Sequence, residues 1–253
     1  MRLNARSLLD AVTRQAERAG IALLVRRIPQ SEHYPQSVII PQATYSPWLA
    51  DTRFLEIYER VRSHTMLDIY RCYELWQLVE QSKKGRGAVI EIGAWRGGSC
   101  ALIAQRAKDL GIVDTVYCCD TFTGLKKTGI NDPTYVDGLY ADTSRRCVEE
   151  LFAALQLDNA RVLEGMFPEE TAHRIHEQSV RFCHIDVDVY LGAKDIVAWV
   201  WPRLQVGGLL VFDDYGFANP VGITRWVEEM RGESDCVVIH NLNGHAVVVK
   251  TKP

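Results

Sequence analysis

A-V-I-E-I-G-A-W-R-G-G-S-C, residues 88–100, is an apolar run holding one acid, then a turn with glycines at 93, 97 and 98, then the start of a helical pattern. The run is long enough for a core strand and too short for an ordinary helix, while Cys100, Ile103, Ala104, Ala107 and Leu110 fall on one helical face. The same alternation repeats downstream. Strand-like runs at 115–119, 160–163, 180–185 and 208–212 are separated by helical faces at Val148, Leu151, Phe152 and Leu155 and at Ala193, Ile196, Val197, Val200, Trp201 and Leu204. Such βαβ order predicts an α/β fold: a doubly wound, mostly parallel sheet covered by helices on both sides. Two further runs, 236–240 and 245–250, flank N-L-N-G and read as an antiparallel C-terminal hairpin, which brings the strands to seven.

Residues 1–64 have another character and are read as an N-terminal helical arm and lid, with the main domain over 65–253. An amphipathic helix is expected over 3–20 and a stronger one over 66–80, with Ile69, Cys72, Tyr73, Trp76 and Val79 on one face. The proline-rich stretch 29–48 opposes helix and central strand, and reads as a long loop serving as a lid, as an arm packed on a second copy of the chain, or as both. A homo-oligomer formed through this arm is therefore expected.

The net charge of -3 gives no general attraction to nucleic acid or to an anionic membrane. The seven cysteines are odd in number, lack a C-x-x-C pair and fall partly inside apolar runs, so they read as buried hydrophobes in a reducing compartment. No segment approaches the roughly 20 apolar residues of a spanning helix, and the first residues lack a signal-peptide pattern. A cytoplasmic protein is expected.

Two strand-like runs end in acids: R-F-C-H-I-D-V-D-V-Y reaches Asp186, and G-G-L-L-V-F-D-D-Y reaches Asp213 and Asp214. On neighbouring strands these acids meet at one sheet edge, where like charges need protons or a cation. A hard divalent metal such as Mg²⁺ on Asp186, Asp213 and Asp214 answers that need. Asp186 is also the candidate proton acceptor, with Asp188 in reserve.

The glycine turn lets the backbone approach a ligand closely. Its G-x-x-x-G-G spacing is neither the dinucleotide fingerprint nor a P-loop. Glu91 would repel a pyrophosphate but could pair with an ammonium group, and Asp120, ending the second strand in V-Y-C-C-D-T-F-T-G-L, is placed to accept from ribose hydroxyls. An amine and a ribose together suggest S-adenosylmethionine.

With E-I-G-A-W-R-G-G-S, C-D-T-F-T-G-L, L-E-G-M-F-P-E-E-T, H-I-D-V-D-V-Y and F-D-D-Y-G in this order, the chain resembles class I S-adenosylmethionine-dependent methyltransferases, and more closely the macrocin O-methyltransferase family. The resemblance, which runs over residues 65–216, implies a Rossmann-like fold and methyl transfer to a small-molecule hydroxyl, a sugar of a glycosylated natural product, with no nucleic acid or membrane partner. It also implies that Glu91, Gly93, Trp95, Gly97 and Ser99 hold the methionyl part, Asp120 and Phe122 the ribose side, Gly165, Met166 and Phe167 the adenine side, and Asp186, Asp213 and Asp214 the Mg²⁺.

Two features depart from related patterns. Val187 replaces the glycine of the family's D-G-D-x-Y, and Val189 stands where catechol-type methyltransferases place a lysine base. The rival readings are an NAD-dependent oxidoreductase, opposed by the glycine spacing and Glu91, and a non-catalytic nucleotide-binding module. His173 and His176 read as a surface helix face, His184 as a hydrogen-bonded core residue, and Trp199, Trp201 and Trp226 as packing. Acceptor specificity is expected in segments 29–48 and 124–140.

Overall fold

The structure, a computed structural model, describes Val12, residues 45–217 and residues 221–253. The chain divides into Met1–Tyr45 and Ser46–Pro253, and the second unit is the one described below. The helix expected over 3–20 and most of the 29–48 loop lie outside the described residues, and with them the lid and the oligomer arm.

Seven strands form one sheet in the order β3-β2-β1-β4-β5-β7-β6. These are β1 (Ala88–Ile92), β2 (Val116–Asp120), β3 (Ala160–Glu164), β4 (Val180–Ile185), β5 (Leu204–Phe212), β6 (Cys236–His240) and β7 (Ala246–Lys250). The first five are parallel, whereas β7 runs antiparallel to both β5 and β6. The order turns outward from β1 and β4, so a crevice opens at their carboxyl ends, the place where doubly wound sheets bind ligands. The strand at β5 starts earlier than its apolar run. Pro202, with no backbone N–H, lies in a short 3-10 turn that ends the preceding helix, so Leu204 belongs to the strand rather than to the helical face.

Alternate strand residues serve opposite layers. Val89, Cys118, Val162, Phe182, Val211 and Val247 face α1 (Thr52–Val61), α2 (Ile69–Ser82), α3 (Gly98–Asp109) and α4 (Arg145–Leu155). Ile90, Cys119, Leu163, Cys183, Leu210 and Val248 face α5 (Tyr190–Val200) and α6 (Val221–Met230). The three tryptophans expected to pack, Trp199, Trp201 and Trp226, border this second layer. His173 and His176 are exposed, but only a 3-10 turn, Ala172–Arg174, stands where a helix face was expected.

Residues 46–64, grouped above with the arm, pack into the main unit. Helix α1 buries Phe54, Ile57 and Val61, and Asp51 caps it by accepting from the Phe54 N–H at 2.9 Å. The other Asp51 oxygen accepts from Trp76 Nε1 at 3.0 Å, which ties α1 to α2. Gly98 allows the close contact beneath, since a Cβ there would lie 2.6 Å from the His64 backbone.

Candidate active site

A cleft of about 110 Å³ opens at the ends of β1, β2 and β4. Its walls include Gly93, Trp95 and Asp120 on one side and Gly165, Met166 and Phe167 on another. Gly93 has φ +90, and a Cβ on it would stand 1.7 Å from the Asp186 carbonyl oxygen. Only glycine lets the first strand leave the sheet so close to the fourth.

Asp120 organises the turns around it. Its two oxygens accept from the N–H groups of Trp95 at 2.8 Å and Phe122 at 2.7 Å, two residues with left-handed backbone. Burial pushes its carboxyl upward, and those N–H groups oppose the shift. Phe122, Gly97 and Ser99 lie behind the cleft rather than in its wall. Phe122 packs in the first core layer, Ser99 is buried in α3, and Gly97, in the left-handed region, presses against Val148.

Glu91 also sits away from the cleft. It is fully buried and in register with His184 on β4, whose Nδ1 lies 2.8 Å from Glu91 Oε1. Its position in β1 turns it toward the α2–α3 layer, where its Oε1 makes this pairing. His184 is the hydrogen-bonded core residue that the sequence suggests.

The acids separate into two groups. Asp213 keeps the strand alternation of Val211 and is 3% exposed. Arg71 Nη1 donates to its Oδ2 at 2.5 Å, and His245 Nε2 stands 3.0 Å from its Oδ1. Burial would raise its pKa, but His245 and then Arg71 hold it down at about 2. Asp214 steps to the other side, where oxygens of Asp186, Asp188 and Asp214 lie within 4.8 Å of one another. This trio contains Asp188 where the sequence reading expects Asp213, which lies instead near His184 and His245. The physical reason is the compensating charge of Arg71 and His245, neither of which a strand-end motif reveals.

Burial and then the charges of Asp213, Asp214 and Asp188 push Asp186 well up; burial raises Asp188 too, opposed by its hydrogen bonds with Asp214 and Tyr135. Asp214 rises to about 9 through burial and then the charges of Asp213 and Asp188. Both Asp188 and Asp214 have positive φ, +61 and +63, a backbone strain that aspartate tolerates better than most residues. Asp186 and Asp188 line the cleft with Val187, so this trio borders the space a ligand would fill.

The 124–140 segment supplies a further wall through Gly124, Leu125, Lys126, Lys127 and Tyr140. Asp132 anchors it, accepting from the Tyr190 N–H at the start of α5 at 2.9 Å and from the Gly129 N–H at 3.1 Å. Lys127 reaches Asp195 at 2.6 Å and also pairs with Glu169. The segment brings Tyr135 to Asp188, where burial first and that carboxylate second raise the phenol. Tyr135 and Arg71 went unnoticed in the sequence, because nothing in local spacing connects residue 135 to 188 or 71 to 213.

A parallel sheet closed by the β7–β6 pair, with a cleft at its switch point, is the architecture of class I S-adenosylmethionine-dependent methyltransferases. Within that class the chain belongs to the macrocin-O-methyltransferase (TylF) family, whose pattern matches residues 46–242. It is 29% identical over 167 residues to mycinamicin III 3''-O-methyltransferase of Micromonospora griseorubida, covering 60% of this chain and 65% of that protein. It is also 29% identical over 169 residues to 8-demethyl-8-(2,3-dimethoxy-alpha-L-rhamnosyl)-tetracenomycin-C 4'-O-methyltransferase of Streptomyces olivaceus, covering 60% of this chain and 63% of that one. The chain thus spans less than two thirds of the length of these two relatives. Among solved structures, the O-methyltransferase NovP superposes with a TM-score of 0.65 at 25% identity, covering 75% of this chain and 83% of NovP.

Proposed function

We propose that the protein transfers a methyl group from S-adenosylmethionine to a hydroxyl of a small molecule, a sugar of a glycosylated natural product, with a divalent cation such as Mg²⁺ at the acid trio. The observation that carries this reading is the trio itself, two of whose acids, Asp186 and Asp188, stand in the wall of the cleft. The rhamnosyl group in the name of one relative supports a sugar acceptor.

The residues fit such a cation. Three neighbouring carboxylates, each with its pKa raised, offer hard oxygen donors, and the nearby positive charge of Arg71 is engaged with Asp213. Asp186, Asp188 and Asp214 would hold it, while Asp213 stays engaged with Arg71 and His245. When bound, a divalent cation polarises an acceptor hydroxyl and lowers its pKa.

The chain's own part is position and proton transfer. Gly93, Trp95 and Asp120 would hold the methionyl and ribose parts of the donor, and Gly165, Met166 and Phe167 the adenine side. Trp199 backs Phe167 edge-on, with ring centroids 5.1 Å apart, so that wall is stiff. Asp186 takes the acceptor proton. Its carboxylate stands in the cleft wall beside Val187, against the space an acceptor would fill. The anchored 124–140 segment limits the space for the acceptor and excludes water from one side.

Turnover measured with S-adenosylmethionine and glycosylated acceptors, in EDTA and then with Mg²⁺ restored, tests the proposal together with calorimetry for S-adenosylhomocysteine and NAD. Binding of S-adenosylhomocysteine and cation-dependent methylation are expected. Equal turnover in EDTA would remove the cation from the reading, and binding of NAD instead would favour an oxidoreductase.

A further inference from the structure

Behind the acid trio, on the α2–α3 side of the sheet, lies a polar group outside the cleft walls. Glu74 of α2 takes hold of the tip of the β6–β7 hairpin: it accepts from Asn241 Nδ2 and from Asn243 Nδ2, the latter at 2.7 Å, and pairs with His245 Nδ1 at 2.6 Å. Asn243 Oδ1 accepts from the His245 N–H at 3.0 Å, which sets the direction of the ring. His245 is fully buried, and its Nε2 faces Asp213 Oδ1 at 3.0 Å without the alignment of a full hydrogen bond. Arg71 grips the other oxygen. A second clip joins the same two pieces of chain, because the Tyr215 N–H donates to the Gly244 carbonyl at 2.8 Å. Asp213, Asp214 and Tyr215 are therefore held on both sides of Asp214 by the hairpin.

This matters because the local chain does not favour the position of Asp214: its backbone is in the left-handed region, and it stands among two further carboxylates. We propose that His245 and Glu74 are positioning residues for the acid trio: the hairpin tip, through His245 on Asp213, keeps Asp214 where the trio can take a divalent cation. This inference rests on the cation reading above. Neither residue belongs to the trio; each acts through Asp213, the chain neighbour of Asp214.

The test is Mn²⁺ binding followed by electron paramagnetic resonance, alongside S-adenosylhomocysteine affinity and thermal unfolding, for the wild type, His245→Ala, His245→Gln and Glu74→Gln. Expected is a loss of Mn²⁺ affinity of about tenfold or more in His245→Ala, with S-adenosylhomocysteine affinity unchanged. His245→Gln, which keeps an N–H near the Nε2 position, should recover most of that loss, and it remains informative if the alanine variant does not fold. Wild-type Mn²⁺ affinity in both His245→Gln and Glu74→Gln, with no loss in His245→Ala, would overturn the inference. So would a parallel fall in both affinities, which marks general loosening. No Mn²⁺ binding by the wild type would instead remove the cation reading on which it stands.

Discussion

Replacing Asp214 by Asn should change how the stability of the metal-free protein depends on pH. In the fold Asp214 titrates at about 9, against about 3.9 in an unfolded chain. Between those limits the native state binds a proton that the unfolded state lacks, so stability falls as pH rises. One such group contributes about 1.4 kcal/mol per pH unit, hence about 2.7 kcal/mol between pH 6 and pH 8. Asp186 and Asp188 are raised too, so any slope they contribute has the same sign. Asp213, lowered to about 2, stabilises the fold at every pH above the unfolded value, so it adds no slope in this window. His245 is raised by Asp213 and Glu74 against the opposing effect of burial, and its contribution is lost as pH rises, but it is common to both proteins. Asn at 214 carries neither the proton nor the charge that repels its neighbours. Urea unfolding in EDTA at pH 6, 7 and 8 should therefore show a shallower decline in Asp214→Asn, with removal of this one group accounting for up to about 1.4 kcal/mol per unit. Mg²⁺ should flatten the wild-type curve and leave the variant nearly unchanged. Equal slopes in EDTA would refute the reasoning, since they would mean that Asp214 is not held protonated by its neighbours.

Gly93→Ala should destabilise the fold by about 3 kcal/mol or more, because its Cβ would meet the Asp186 carbonyl at 1.7 Å on a backbone with φ +90; thermal unfolding measures it. Asp120→Asn keeps one acceptor oxygen but faces a backbone N–H with an amide nitrogen, so calorimetry should show S-adenosylhomocysteine affinity lower by about tenfold, the equivalent of roughly 1.4 kcal/mol. Phe54→Ala should cost about 3–5 kcal/mol in urea unfolding, since Phe54 is fully buried among Tyr58, Tyr73 and Trp76; a loss under about 1 kcal/mol would return residues 46–64 to the arm.

Particular residues show where sequence reading stops. Helix α1 was missed although Phe54, Ile57, Tyr58 and Val61 have helical spacing behind a capping Asp51. The proline-rich stretch before it suggested an arm, and only packing on α3 places it in the fold. Asp188 seemed a spare base because strand-end position alone does not tell which way a side chain leaves the sheet. Glu91 seemed free to meet an ammonium group because its partner, His184, is distant in the chain and adjacent only through strand pairing.

By itself the sequence determined the strand-and-helix order, the glycine turn at 93–98, the acids at the strand ends and the family motifs, all of which are local in the chain. It also placed Gly93, Trp95, Asp120, Gly165, Met166 and Phe167, which line one cleft. Only the tertiary structure decided which acids stand together. Arg71 and His245 reach Asp213 from α2 and from the hairpin, and their charges separate it from Asp186, Asp188 and Asp214. Periodicity and motif spacing describe neighbours along the chain, whereas the electrostatics of a buried carboxylate depend on every charge brought within a few ångströms of it.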